Sequence, residues 1–165
     1  MRSKTQNNSD QKPQKEIIST FRGNRFTINR PQDWKDKSIY SLNGPIDSGI
    51  QHNILITVEY DVEIDSLANL ADRQIESLET QLKGCRVLKR GERTLNNGQE
   101  AYEAIFRWYP TDEQCLYQKQ IYVLFGSTAY ALTTTFSKKT RKTRGPEVDR
   151  IMMSFKPEEL PEDKA

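Results

Sequence analysis

The sequence predicts an α+β domain in which helices cover an antiparallel sheet. Three observations predict it: a long amphipathic helix pattern between Asp65 and Gly84, four β-patterned runs separated by turn signals after it, and three shorter strand patterns before it. No period of roughly 20 to 50 residues repeats, which excludes a solenoid.

Residues 1 to 20 are dominated by Lys, Gln, Asn, Ser and Asp. Ordering them costs backbone entropy with no burial to offset it, so they read as a disordered polar leader. From Arg25 to Arg30, Phe26 and Ile28 alternate with Thr27 and Asn29 as in a strand; Pro31 closes it and Trp34 follows in a turn. Ser38 to Leu42 is a second short strand, broken by Asn43-Gly44-Pro45. Asn53 to Tyr60 is a third, rich in β-branched residues, and the three together form one edge of a sheet.

The helix carries Leu67, Leu70, Ala71, Ile75, Leu78 and Leu82 at three- and four-residue steps, with Asp65 as its N-cap and Gly84 as its stop. Next come Cys85 to Leu95, Gln99 to Tyr109, Cys115 to Phe125 and Thr128 to Phe136. They are joined through Asn96-Asn97-Gly98, Pro110-Thr111-Asp112 and Gly126-Ser127, an antiparallel meander. A second helix starts at Pro146, runs through Val148, Ile151, Met152 and Phe155, and ends before Pro157. The organisation is a leader (1–20), one domain (21–157) and a flexible acidic tail (158–165).

The composition excludes several functions. A chain of 165 residues, 35% hydrophobic and 29% charged, fits one soluble domain. No apolar run approaches the ~20 residues that span a bilayer, and the first ten residues lack the hydrophobic stretch of a signal peptide. A formal net charge of +2 supplies no global attraction to nucleic acid or anionic lipid. Cys85 and Cys115 have only His52 for company, which supports neither a zinc site nor a Cys-His nucleophile; they read as reduced thiols of a cytoplasmic protein, with a single disulfide as the alternative. Glycine-rich phosphate loops, Gly-x-Ser-x-Gly and His-Glu-x-x-His are all missing. Asp33 and Asp36, which flank Trp34, are the one acid-base pair to consider, and beside a proline turn such residues cap backbone groups. His52 reads as a solvated loop residue. The expectation is a non-enzymatic protein with no metal or cofactor.

Three features point to binding. Lys138 to Arg144 is a basic run, read as a solvated loop, with a phosphate grip as the alternative. The last meander strands carry apolar residues on both faces: Tyr117, Ile121, Val123 and Phe125 on one, Leu116, Tyr122 and Leu124 on the other. One face meets the core, and the other needs a second helical layer or a ligand. Gln74 interrupts the helix's apolar stripe, and Gln120 shares a face with Gln118, Tyr122 and Leu124. Their amides can bond the chain's own backbone or an incoming one, and spacing alone favours the former.

The segments Pro31-Gln32-Asp33-Trp34-Lys35-Asp36-Lys37-Ser38-Ile39, Ala71-Asp72-Arg73-Gln74-Ile75-Glu76 and Ala131-Leu132-Thr133-Thr134-Thr135 together resemble the DcrB-related family over residues 24 to 157. More narrowly they are similar to its Eag branch, the effector-associated chaperones of bacterial type VI secretion. The resemblance implies a PsbP-like α/β/α sandwich, a homodimer and no catalysis. It implies that the protein keeps the N-terminal transmembrane helices of a PAAR- or Rhs-type effector soluble in the cytoplasm before loading on the secretion spike. It also implies an effector-binding role for Ile39, Gln74 and Gln120. Leu42 and Tyr122, from the strands that carry Ile39 and Gln120, complete the expected set. No nucleic acid and no membrane insertion are expected. Ser41 departs from the branch, which favours a second apolar residue there, and the polar leader is long. The absence of a lipobox cysteine favours the chaperone over the envelope lipoproteins of the family. The rival functions are a nucleic-acid module using Lys138 to Arg144, a carboxylate enzyme, and an envelope-associated protein.

Overall fold

The computed structural model describes residues 15–159, so the first fourteen leader residues and the last six of the tail lie outside it. Two compact units divide at Asp36/Lys37. The first is a hairpin of β1 (Ile18–Gly23) and β2 (Phe26–Pro31), paired antiparallel. Arg25 takes the positive φ of 65° that its two-residue turn requires. Phe21 and Phe26 meet with ring centroids 6.2 Å apart, and the Arg30 guanidinium lies over Phe21 at 5.1 Å. Two expectations are corrected here: Ile18 to Thr20 are strand rather than leader, and the strand expected from Arg25 to Arg30 pairs with them instead of joining the main sheet.

The second unit is built on β3 (Ile39–Asp47), β4 (Ile50–Glu59), α1 (Leu67–Gln81), β5 (Arg86–Thr94), β6 (Glu100–Thr111), β7 (Gln114–Phe125), β8 (Thr128–Phe136), α2 (Lys138–Thr143) and α3 (Gly145–Met153). Its six strands form one antiparallel sheet in the order β3-β4-β8-β7-β6-β5. Consecutive side chains of a strand point to opposite faces, and the core divides accordingly. Tyr122, Ala104 and Ala129 pack under Leu70, Ala71 and Ile75 of α1. Ile121, Val123, Leu132 and Phe136 pack under Val148, Met152 and Met153 of α3. Helices on both faces of one sheet make an α/β/α sandwich.

The local chemistry explains most element ends. Ser66, not Asp65, caps α1: its Oγ accepts from the Asn69 N–H at 3.1 Å, while Asp65 Oδ1 accepts from the Asn69 side chain at 2.6 Å. Gly84 has φ +62, and a Cβ there would come 2.9 Å from the Tyr109 ring. Gly98, at φ +87, turns β5 into β6. β3 continues through Asn43-Gly44-Pro45, contrary to expectation, because a bulge between Asn43 and Ile46 absorbs the proline without demanding its missing N–H.

The basic run is also corrected. It is a short helix rather than a loop, started by a capping box in which Ser137 Oγ accepts from the Thr140 N–H at 3.1 Å and Thr140 Oγ1 from the Ser137 N–H at 2.8 Å. Helix α3 stops at Met153, and Phe155 lies beyond it, edge-on to Tyr130 at 5.1 Å.

His52 is not solvated. It lies on β4, 6% exposed, its ring 6.4 Å from Phe136 and its Nε2 4.0 Å from Asp47. Among the described residues neither ring nitrogen has a hydrogen-bond partner.

Candidate functional site

Helix α1 packs over β6, β7 and, at Ala129, the start of β8, and leaves β4, β3 and the rest of β8 on the same sheet face without a helix. Strand register decides what that part displays. Ile39, Thr57, Ala131 and Tyr122 lie in one row across β3, β4, β8 and β7, and Ser41, Leu55, Thr133 and Gln120 in the next. Where the first row meets α1 there is an open cleft of about 250 Å³, walled by Ile39, Thr57, Ala131, Leu70 and Gln74, with Tyr122 at its floor. Lys37 and Glu59, 3.8 Å apart, stand at its mouth.

The polar groups divide into those already bonded and those available. Gln118 accepts from Trp108 Nε1 at 2.9 Å and donates to Thr135 Oγ1 at 2.9 Å, so its amide is engaged on both sides. Gln120 Oε1 accepts from the Tyr122 hydroxyl at 2.5 Å, which leaves the Gln120 amide N–H groups to donate. Gln74 is half-buried and makes no side-chain hydrogen bond to a described residue. The face therefore offers apolar and small side chains along two rows, with amide donors and an amide acceptor between them.

The sequence-predicted residues do not all meet. Ile39, Gln74 and Gln120 share this face. Tyr122 is fully buried, and burial raises its phenol pKa; its part is to floor the cleft and hold Gln120, which corrects its expected place on the binding surface. Leu42 has the opposite parity to Ile39 and lies across the sheet, in a depression of about 300 Å³ with Pro45, Val148 and Ile151, so it is corrected out of the cleft. Leu55 and Ala131 were missed because nothing local in the sequence sets the register that lines them up with Ile39. Leu55 stands opposite Ser41 and supplies apolar surface beside that departure.

The bond between Tyr122 and Gln120 carries an expected result. Gln120→Ala leaves a buried hydroxyl without an acceptor and costs about 1–3 kcal/mol, whereas Gln120→Ala with Tyr122→Phe recovers most of it. Urea unfolding of the two single variants and the double variant checks this. Additive losses would show that the two side chains are not coupled.

Asp33 and the Trp34 ring are exposed in the turn after β2, held by a bond from Arg30 Nη1 to the Trp34 carbonyl at 2.7 Å. In the basic run, Arg144 bonds Asp47 at 3.0 Å and Arg141 lies over the Tyr117 ring at 4.9 Å. Both cysteines are free and half-buried, and burial raises the Cys85 thiol pKa. Among the described residues, no three His, Cys, Asp or Glu side chains are grouped to hold a metal, and no helix is long and apolar enough to cross a membrane.

Comparison with known proteins agrees with the architecture. A protein of unknown function from Pseudomonas aeruginosa, described as a candidate regulator, shares 19% identity, with 87% of this chain and 99% of that one covered and a TM-score of 0.68. The solution structure of PsbP from the cyanobacterium Synechocystis shares 8% identity over 86% of this chain and 92% of its own, with a TM-score of 0.51. The fold is PsbP-like. No curated protein matches. The DcrB family model matches residues 26–154, and the chain belongs to the DcrB family.

Proposed function

We propose that this DcrB-family chain is a non-enzymatic adaptor of the bacterial cytoplasm, of the Eag type it resembles. Its client is the apolar N-terminal helical region of a type VI secretion effector, of PAAR or Rhs type, held soluble until loading. One observation carries this reading: the uncovered part of the α1 face aligns Ile39, Thr57 and Ala131 beside two amides with unused capacity, Gln74 and Gln120.

The chemistry suits a membrane-spanning helix outside its membrane. Such a helix exposes apolar side chains all round and aggregates in water, so it needs an apolar surface in place of lipid. Small side chains such as Ala131 and Thr57 let a helix backbone approach closely, and an amide that both donates and accepts meets a Ser, Thr or backbone carbonyl of the client. The nucleic-acid alternative is weakened because Arg141 and Arg144 of the basic run are engaged with Tyr117 and Asp47.

Gln74→Ala tests the reading with little risk to the fold, since no hydrogen bond to a described residue is lost. The probe is a Lys-flanked Leu-Ala-Ser helical peptide long enough to span a bilayer. Its affinity falls about three- to tenfold, the loss of one hydrogen bond of ~1 kcal/mol, with an unchanged unfolding midpoint. Unaltered affinity would take Gln74 out of the site.

A further inference from the structure

On the sheet face opposite the cleft, a cavity of about 330 Å³ lies between strands β5 to β8 and the helices α2 and α3. Four cations line it: Lys89 and Arg93 from β5, Lys119 from β7 and Arg141 from α2. Register and capping bring them together. Lys89, Ile105 and Lys119 stand in one row across β5, β6 and β7, so two ammonium stems rise from the same face only two strands, ~10 Å, apart. The Ser137 capping box starts α2 and so sets Arg141 over the Tyr117 ring at 4.9 Å.

The carboxylates in the cavity are too few for these cations. Glu103 and Asp149 are its two acids, and both are bonded to Arg93, with Lys119 adding one bond to Asp149 at 2.9 Å. Lys89 and Arg141 have no carboxylate partner among the described residues. The stack on Tyr117 uses the face of the Arg141 guanidinium and leaves its edge N–H groups to donate. An excess of two positive charges thus converges on one cavity, where like charges repel and an anion between them is stabilised. The start of α3 adds to this field. Gly145 and Pro146 line the cavity, no side chain caps the helix there, and the positive end of its dipole favours an anion.

We propose that this cavity binds a small phosphate monoester, with the phosphate between Lys89, Lys119 and Arg141 and the apolar body against Ile105 and Pro146. Charge selects the head group. A dianionic phosphate cancels the excess of two and brings three acceptor oxygens, where a carboxylate brings one charge and two oxygens. Size selects the rest of the ligand. The volume is at the lower end of the ~300–1,000 Å³ of small-molecule sites. Lys138, Lys139 and Lys142 of the basic run lie outside the lining, so the cavity serves a single phosphate and not a chain of them. The site is on the other face from Ile39 and Gln74 and does not rest on the proposed function.

Isothermal titration calorimetry of the full chain with phenyl phosphate, at about pH 8 where the phosphate is dianionic, tests the assignment. Wild type binds with a submillimolar dissociation constant, and phenyl sulfate, of the same shape with one charge fewer, binds about tenfold more weakly. Lys89→Ala and Arg141→Ala each weaken phenyl phosphate about tenfold or more, with unchanged urea midpoints because both side chains are exposed. Lys89→Arg retains most of the affinity. Lys142→Ala, in the same basic run but outside the cavity, changes nothing. No binding of phenyl phosphate, equal affinity for the sulfate, or a Lys89→Ala variant that binds like wild type overturns the proposal. An oligothymidylate, or a vesicle of phosphatidic acid and phosphatidylcholine, that binds more tightly than phenyl phosphate and loses affinity on Lys142→Ala also overturns it, in favour of a polyanion along the whole run.

Discussion

Ile39→Asp abolishes the binding of apolar helices and leaves the fold intact. The side chain is 65% exposed, so its replacement loses little packing and shifts stability within the roughly 0.5 kcal/mol common at surfaces. In the complex the same position is covered by an apolar helix, and a carboxylate there is desolvated without a partner of its own, since Lys37 is already paired with Glu59. A penalty of about 3 kcal/mol or more lowers affinity at least about a hundredfold. Ile39→Leu, apolar and of equal volume, binds normally. Titration of the Lys-flanked helical peptide, with urea unfolding of each variant alongside, separates binding from stability. An Ile39→Asp variant that binds like wild type places the client elsewhere.

Arg93→Ala has the largest expected effect on stability. From β5, Arg93 reaches Glu103 of β6, whose side chain is only 4% exposed, and grips Asp149 of α3 with two bonds of 3.0 Å; Lys119 of β7 adds a bond to Asp149 at 2.9 Å. The network ties α3 to three strands. Removing the guanidinium strands a buried carboxylate and costs about 3–5 kcal/mol, a large part of the ~5–15 kcal/mol of a typical domain. Arg93→Met with Glu103→Leu removes both charges and costs less than Arg93→Ala alone.

The same network gives an acid signature. The Arg93 guanidinium, and after it Lys119, hold the Asp149 carboxyl at a pKa of about 2 against an ordinary value of 3.8. A depressed folded-state pKa means the contribution is complete above the unfolded value and is lost as pH falls from about 4 through about 2. It is on the order of 1–2 kcal/mol. Urea midpoints at pH 7, 4 and 2 therefore converge between wild type and Asp149→Asn as pH falls. Curves that stay parallel would assign the acid sensitivity to other carboxylates.

What could be read from sequence follows the range of the interactions involved. Helix α1 was legible because its apolar positions Leu67, Leu70, Ala71, Ile75 and Leu78 repeat at the helical period, and the β5–β6 turn because Asn97-Gly98 tolerates the φ of +87° found at Gly98. Strand β1 was obscured by the polar Ser19, Thr20 and Arg22 that continue the leader's composition. Helix α2 was missed because its cap uses Thr140 where Glu or Gln is the usual signal. The bulge at Pro45 turned an apparent strand end into a continuation, and a buried His52 looked polar enough for a loop.

The site was legible in part for the same reason. Gln74 was visible as a polar break in an apolar stripe, and the family resemblance pointed to Ile39 and Gln120. Their common face depends on the register of β3 on β4, β4 on β8 and β8 on β7, which no local pattern records. The opposite parity of Leu42 followed from alternation along one strand, whereas the burial of Tyr122 became visible only once α1 was placed above it.

The most direct test of the central claim is site-specific photo-cross-linking in the native bacterium while its secretion system is expressed, with a benzophenone amino acid at position 39 and, as control, at Leu88 on the far edge. The account predicts an adduct from position 39 alone that maps to the apolar N-terminal helices of a secreted PAAR- or Rhs-containing protein. No adduct from position 39, or the same adducts from both positions, would contradict it.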